Sequence, residues 1–344
     1  MGDGGGQPKL AHWFLNDGKR SEPFVEVQSL IDGLMRDGIT DEGLASAIRA
    51  MAEDGDPDAQ YVLGTAYQYG LGLDHSDEKS FKWYGRAVAQ GHLPAIYDMA
   101  SFYLFGIGVR ESPEKAFDML RRASDEGLPE ASKQIAWMYS AGHGVEKSET
   151  ESFKWTFKAA EQGDAGAQTD VGYMYGVGEG TRQSDEKAAE WYRKGAEQGH
   201  AAAQFNLGNM YYKGLGVERS YEEAFGWFLK AARQGHAKSQ NNLGYMYEHG
   251  EGTEQSYEKA AEWYAKAAGQ NALAKYHLGC LYEDGKGVPR SVEKAKELYA
   301  DSAEWGNEDA RESILRLDPD WKEEDRRRLM TIQHDENRAP YGGV

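Results

Sequence analysis

Seven evenly spaced G-x-G pairs, nine histidines, one cysteine and several adjacent carboxylates are the residues of this 344-residue chain that could do chemistry. Each points to a different reaction. The pairs, from Gly70 and Gly72 to Gly285 and Gly287, have the spacing of phosphate-cradling loops. None follows a strand pattern or completes G-x-G-x-x-G or G-K-S/T, so they are expected to be turns. His92, His200 and His236 recur at one loop position, and no H-x-x-x-H or Cys/His cluster provides a metal-ligand set. Glu222 and Glu223 could pair as acid and base, but they sit where the first turn of a helix attracts carboxylates. Cys280 is read as a helix residue without a histidine partner, and Arg326 to Arg328 as an exposed helix face. Catalytic residues, metal ions and cofactors are therefore not expected.

Recognition is the chemistry that remains. Gln134 with Trp137, Asp170 with Tyr173, Asn206 with Asn209 and Asn242 with Tyr245 form a series of polar and aromatic residues. Asn both donates to and accepts from a peptide backbone, and exposed Trp and Tyr supply contact area at low entropic cost. Trp137, Tyr173, Asn206, Asn209, Asn242 and Tyr245 are the candidate partner-binding residues; the competing reading is that their rings pack against the next repeat.

The series recurs because most of the chain is periodic. LGTAYQYGLGL, from Leu63, returns as MASFYLFGIGV, IAWMYSAGHGV, VGYMYGVGEGT, LGNMYYKGLGV, LGYMYEHGEGT and LGCLYEDGKGV. The second residues, Gly64, Ala100, Ala136, Gly172, Gly208, Gly244 and Gly279, are 36 apart, with one spacing of 35. A Tyr stands three residues on in every copy, and a Ser follows every G-x-G pair. The first stretch is Ala-rich, has apolar residues at helical spacing and ends in Gly, so it predicts a helix A. The second opens with Ser and carboxylates, carries Trp83, Trp155, Trp191, Trp227 and Trp263 at one position, and ends in Gly, so it predicts a helix B. In the sixth copy Asn271 is expected to replace the closing Gly in the left-handed region. Small residues from Ala59 to Ala274 let helices approach closely. Since one helix pair cannot bury both faces, the pairs must stack.

The pattern A-x-x-x-L-G-x-x-Y-x-x-G-x-G followed by K-A-x-x-W-x-x-K-A-A-x-x-G resembles the Sel-one-like repeat, a relative of the tetratricopeptide repeat. The resemblance implies an all-α fold, an α/α solenoid in which seven helix-pair repeats wind into a right-handed superhelix. It covers about residues 57–306, with an N-terminal stretch and helical cap over 1–56 and capping helices with a polar tail over 307–344. Helices are expected over 26–36, over 41–54, in ARESILRL and from Trp321 to Gln333. Residues 1 to about 9 and the last ten are expected to be disordered. The paired cysteines of the secreted, disulfide-bridged branch of the family are absent, which argues against a periplasmic placement.

In each copy the residue two after the L-G position is apolar (Ala66, Phe102, Met138, Met174, Met210, Met246, Leu281) and is expected inside. The residue one after lies about 100° away around the helix and varies, so with its neighbours three before and four after it should line the concave wall.

Composition narrows the partner. With 39 Lys and Arg against 57 Asp and Glu the net charge is −18, spread along the chain, which repels nucleic acid and anionic lipid heads. A single cysteine excludes an internal disulfide and fits a reducing compartment. No leader pattern or apolar span is visible, so a cytoplasmic protein without membrane insertion is expected, a periplasmic one only if a leader has been removed. The reading is a non-enzymatic adaptor or scaffold that binds a protein segment, with no small-molecule substrate. The alternative is an inhibitor or immunity-type protein that clasps and blocks a partner enzyme.

Overall fold

The computed structural model describes residues 42–322. The helix expected over 26–36, the run Arg326 to Arg328, both tails and nearly all of the helix expected from Trp321 lie outside those residues. Among the described residues there are sixteen helices and no strand, arranged as an all-α solenoid of helix pairs. They fall into two compact units, residues 42–162 and 163–322.

In the first unit α1 (Glu42–Glu53) precedes three hairpins: α2 (Pro57–Tyr69) with α3 (Asp77–Ala89), α4 (Leu93–Phe105) with α5 (Pro113–Asp125), and α6 (Pro129–Ala141) with α7 (Glu149–Glu161). The second unit has four hairpins: α8 (Ala165–Val177) with α9 (Asp185–Glu197), α10 (Ala201–Lys213) with α11 (Tyr221–Arg233), α12 (Ala237–His249) with α13 (Tyr257–Ala267), and α14 (Ala272–Asp284) with α15 (Val292–Glu304). The single helix α16 (Glu308–Leu317) follows. Within each unit every helix packs on its neighbours in the chain.

Local rules explain where the helices start and stop. Six of the seven helix B serines accept a hydrogen bond from the backbone N–H three residues on, at 3.1–3.3 Å. Such a cap contributes about 1 kcal/mol. Ser112 is the exception: its hydroxyl donates to Glu114, and Pro113 starts the helix. Gly214 shows how helix A ends. At φ 71° its N–H, like that of Leu215, donates to the Met210 carbonyl. Ser220 N–H then donates to Tyr211 O at 3.0 Å, a bond that recurs in all seven turns. It fixes the reversal from A to B.

The sixth turn corrects one expectation. Asn271 has φ −142° and is the N-cap of α14, its side chain accepting from Ala274 N–H at 3.1 Å. With one residue deleted, α13 closes at Ala268 in right-handed geometry and no left-handed residue is used.

Packing inside a hairpin follows a complementarity the periodicity did not reveal. A Cβ on Gly244 would stand 2.5 Å from the Tyr264 ring, and one on Gly208 2.7 Å from that of Phe228. Twenty residues along, Gly64, Gly172 and Gly279 likewise face Tyr84, Tyr192 and Tyr299. Where Ala100 and Ala136 replace the glycine, the equivalent helix B residues are the smaller Leu120 and Thr156. Small on A is paired with large on B.

Neighbouring hairpins are clasped by glutamines. Gln204 donates to Ala196 O at 3.1 Å and accepts from Gln234 at 2.8 Å; Gln234 also donates to Gly199 O at 2.9 Å. Gln60 and Gln90 do the same in the first unit, reaching Ala52 O and Gly55 O. These bonds tie each hairpin to the end of the helix before it, giving the Gly55 and Gly199 carbonyls a partner and the Ala52 and Ala196 carbonyls a second one.

Candidate functional site

Helix geometry divides each helix A into an inward and an outward line. All seven residues expected inside, Ala66 to Leu281, are buried. The residues one step back are not. In the second unit Tyr173 is 54% exposed, and Asn206, Asn209, Asn242 and Tyr245 are half-buried. Their amides are unoccupied: among the described residues no hydrogen bond engages the side chains of Asn206, Asn209 or Asn242. Tyr245 stacks on His249, ring centroids 4.0 Å apart, and meets His277 edge-on at 6.4 Å.

In the first unit Trp137 is 41% exposed and stands with Phe105, itself 55% exposed, and His143, at centroid distances of 6.2 and 5.6 Å. Three outward rings therefore share one face. None of the six candidate residues is sealed from solvent, so none serves only as a wedge between repeats.

The remaining titratable residues on these faces already have partners. Tyr264 donates to Glu248 at 2.8 Å, and Tyr299 to Glu283 at 2.9 Å, where Arg316 also binds at 2.7 Å. The hydrogen bond from Arg316 holds the Glu283 carboxyl below the usual range. His277 stacks on Tyr264 at 5.0 Å, and burial lowers its pKa. That histidine lies one turn from Cys280, yet burial pushes the thiol up, away from the nucleophilic thiolate. Two of the three loop histidines cap helices with their side chains: Nδ1 of His92 accepts from Ala95 N–H at 3.1 Å, and that of His236 from Ser239 N–H at 3.2 Å, whereas Nδ1 of His200 pairs with the Thr169 hydroxyl at 2.7 Å. Among the described residues no three His, Cys, Asp or Glu are grouped to hold a metal, and no helix is long and apolar enough to cross a membrane.

One residue on this line was missed. Asp98 occupies the α4 position equivalent to Asn206 and Asn242, and Tyr61 donates to its carboxylate at 2.9 Å. Desolvation raises its pKa to about 7 despite that hydrogen bond. The signal was available, since Asp98 sits three before Ser101 just as Asn206 sits three before Asn209.

Comparison with known proteins agrees with this geometry. Residues 57–92, 93–128, 129–164, 165–200, 201–236, 237–271 and 272–307 each match the Sel1 repeat. Among solved structures, a protective antigen of uropathogenic Escherichia coli strains displaying an SLR fold is similar at 35% identity and a TM-score of 0.74. That match covers 81% of this chain, which spans 60% of the antigen's length. A Sel1 repeat protein from Oxalobacter formigenes is similar at 29% identity and a TM-score of 0.65, covering 87% of this chain and 91% of that one. None of the curated proteins matches the sequence.

Proposed function

The chain belongs to the Sel1 repeat family, whose repeats mediate protein–protein interaction, and from that premise we propose that it is a non-enzymatic adaptor or scaffold gripping a segment of another polypeptide on its helix A face. The observation that supports this reading is the row of unoccupied amides at Asn206, Asn209 and Asn242 between the part-exposed Tyr173 and Tyr245. An amide left to water costs nothing in the free protein and can pair with a peptide carbonyl or N–H on binding. The adjacent rings supply the apolar area that such polar pairs lack.

Replacing Asn206, Asn209 and Tyr245 together by Ala should cut partner capture by roughly tenfold or more while leaving the melting temperature unchanged. Capture from the native lysate, quantified for wild type and variant, is the measurement; undiminished capture contradicts the site. The net charge of −18 also favours a basic target, which an inhibitor of the immunity type would clasp and block. Adaptor and inhibitor are told apart by whether a captured enzyme stays active.

A further inference from the structure

Asp98 is the one acid on the outward line of α4 that is both recessed and without a cation. Among the described residues no Lys, Arg or His lies within ion-pair distance of it, and its side chain has there one hydrogen-bond partner, the Tyr61 hydroxyl. The residue is nonetheless partly open to solvent. Tyr61 and Tyr69 of α2 and Tyr97 of α4 lie near enough that, after burial itself, the Asp98 charge pushes their hydroxyl pKa values up. A half-buried carboxylate bordered by Tyr61, Tyr69 and Tyr97, the Asp98 recess, matches a cation on an aliphatic stem, whose methylenes can lie along the rings while its head reaches the acid.

Asp98, Ser101 and Phe105 follow at i, i+3 and i+7, so the recess and the Phe105–Trp137 rings share one face about 10 Å apart along the helix. A single extended segment of three or four residues reaches both.

We propose that the Asp98 recess receives a Lys or Arg side chain of the bound polypeptide, with Phe105 and Trp137 taking a large apolar residue close to it in sequence. This rests on the helix A face being the binding face. Burial disfavours the charged form of Asp98, a docked cation would offset that cost by attraction, and the net negative charge of the protein draws basic segments toward it.

The test is selection of binders from a random peptide phage library on the full chain, followed by titration of the selected peptides against wild type, Asp98→Asn and Ser101→Arg. Asp98→Asn keeps the shape and removes the charge; Ser101→Arg keeps the acid and fills the recess from within the chain. The expected result is a motif with a fixed Lys or Arg beside a large apolar residue, and affinity roughly 30-fold or more weaker for both variants. Lowering the pH from 8 to 6 should weaken wild type and leave Asp98→Asn unaffected. The ionisable neighbours are Tyr61 and Tyr69 of α2, Tyr84 of α3, Tyr97 of α4, Glu130 of α6, and His92, whose ring packs 4.8 Å from that of Tyr61. A dependence arising from His92 would persist in Asp98→Asn. Binders without a basic residue, or variants that bind as tightly as wild type, overturn the Asp98 assignment and leave the binding face standing; a library that yields no binder overturns the proposed function itself.

Discussion

Gly244→Ala should lower stability by about 2–3 kcal/mol, a large effect for a single added methyl group. The new Cβ would stand 2.5 Å from two atoms of the Tyr264 ring, and that ring is fully buried with its hydroxyl anchored on Glu248 at 2.8 Å. It has nowhere to go without losing the hydrogen bond. The natural pair Ala100 with Leu120 shows the remedy. Adding Tyr264→Leu to Gly244→Ala should cost at least 1 kcal/mol less than the sum of the two single changes, because the smaller residue makes room for the methyl. Thermal melts of the four proteins measure this. Additive costs would mean that the glycine is not matched to the ring.

Asp98→Asn should have the opposite sign. Burial pushes the Asp98 pKa up to about 7, against roughly 3.9 in an unfolded chain. Between those values the native state holds a proton that the unfolded state has released, so this group makes stability fall as pH rises, and the full penalty is present above pH 7. Asn does not titrate. The stabilisation from Asp98→Asn should therefore grow by on the order of 2 kcal/mol between pH 5 and pH 8, allowing for the residual solvent contact of the carboxylate. Urea melts at the two pH values check it; a gain independent of pH, or a loss, would show that Asp98 ionises freely. A charge kept at such a cost is a mark of a site selected for binding over stability.

What the sequence disclosed follows from which interactions are local. Ser caps, closing glycines and the burial of Met174, Met210 and Met246 depend on residues within one or two turns, so spacing alone reveals them. The outward placement of Tyr173 and Asn209 follows from the same 100° step. Contacts between helices were harder to read. The clasp of Gln204 and Gln234 joins residues thirty apart, and the match of Gly244 with Tyr264 needs two helices face to face. Asn271 was misjudged because Asn suits both a left-handed closure and an N-cap, and only the length of the shortened turn decides between them. Asp98 lay on the right line, yet its recess is built by tyrosines from α2 and α4 together, which periodicity cannot show.

The central claim, that a partner polypeptide lies on the helix A face, is tested most directly by a photo-crosslinking residue placed at one position at a time: Tyr173 and Asn209 on helix A, and the exposed Glu262 on helix B. The account predicts that the copurifying partner is crosslinked from positions 173 and 209 and not from 262. Crosslinking from 262 with none from 173 or 209 would contradict it.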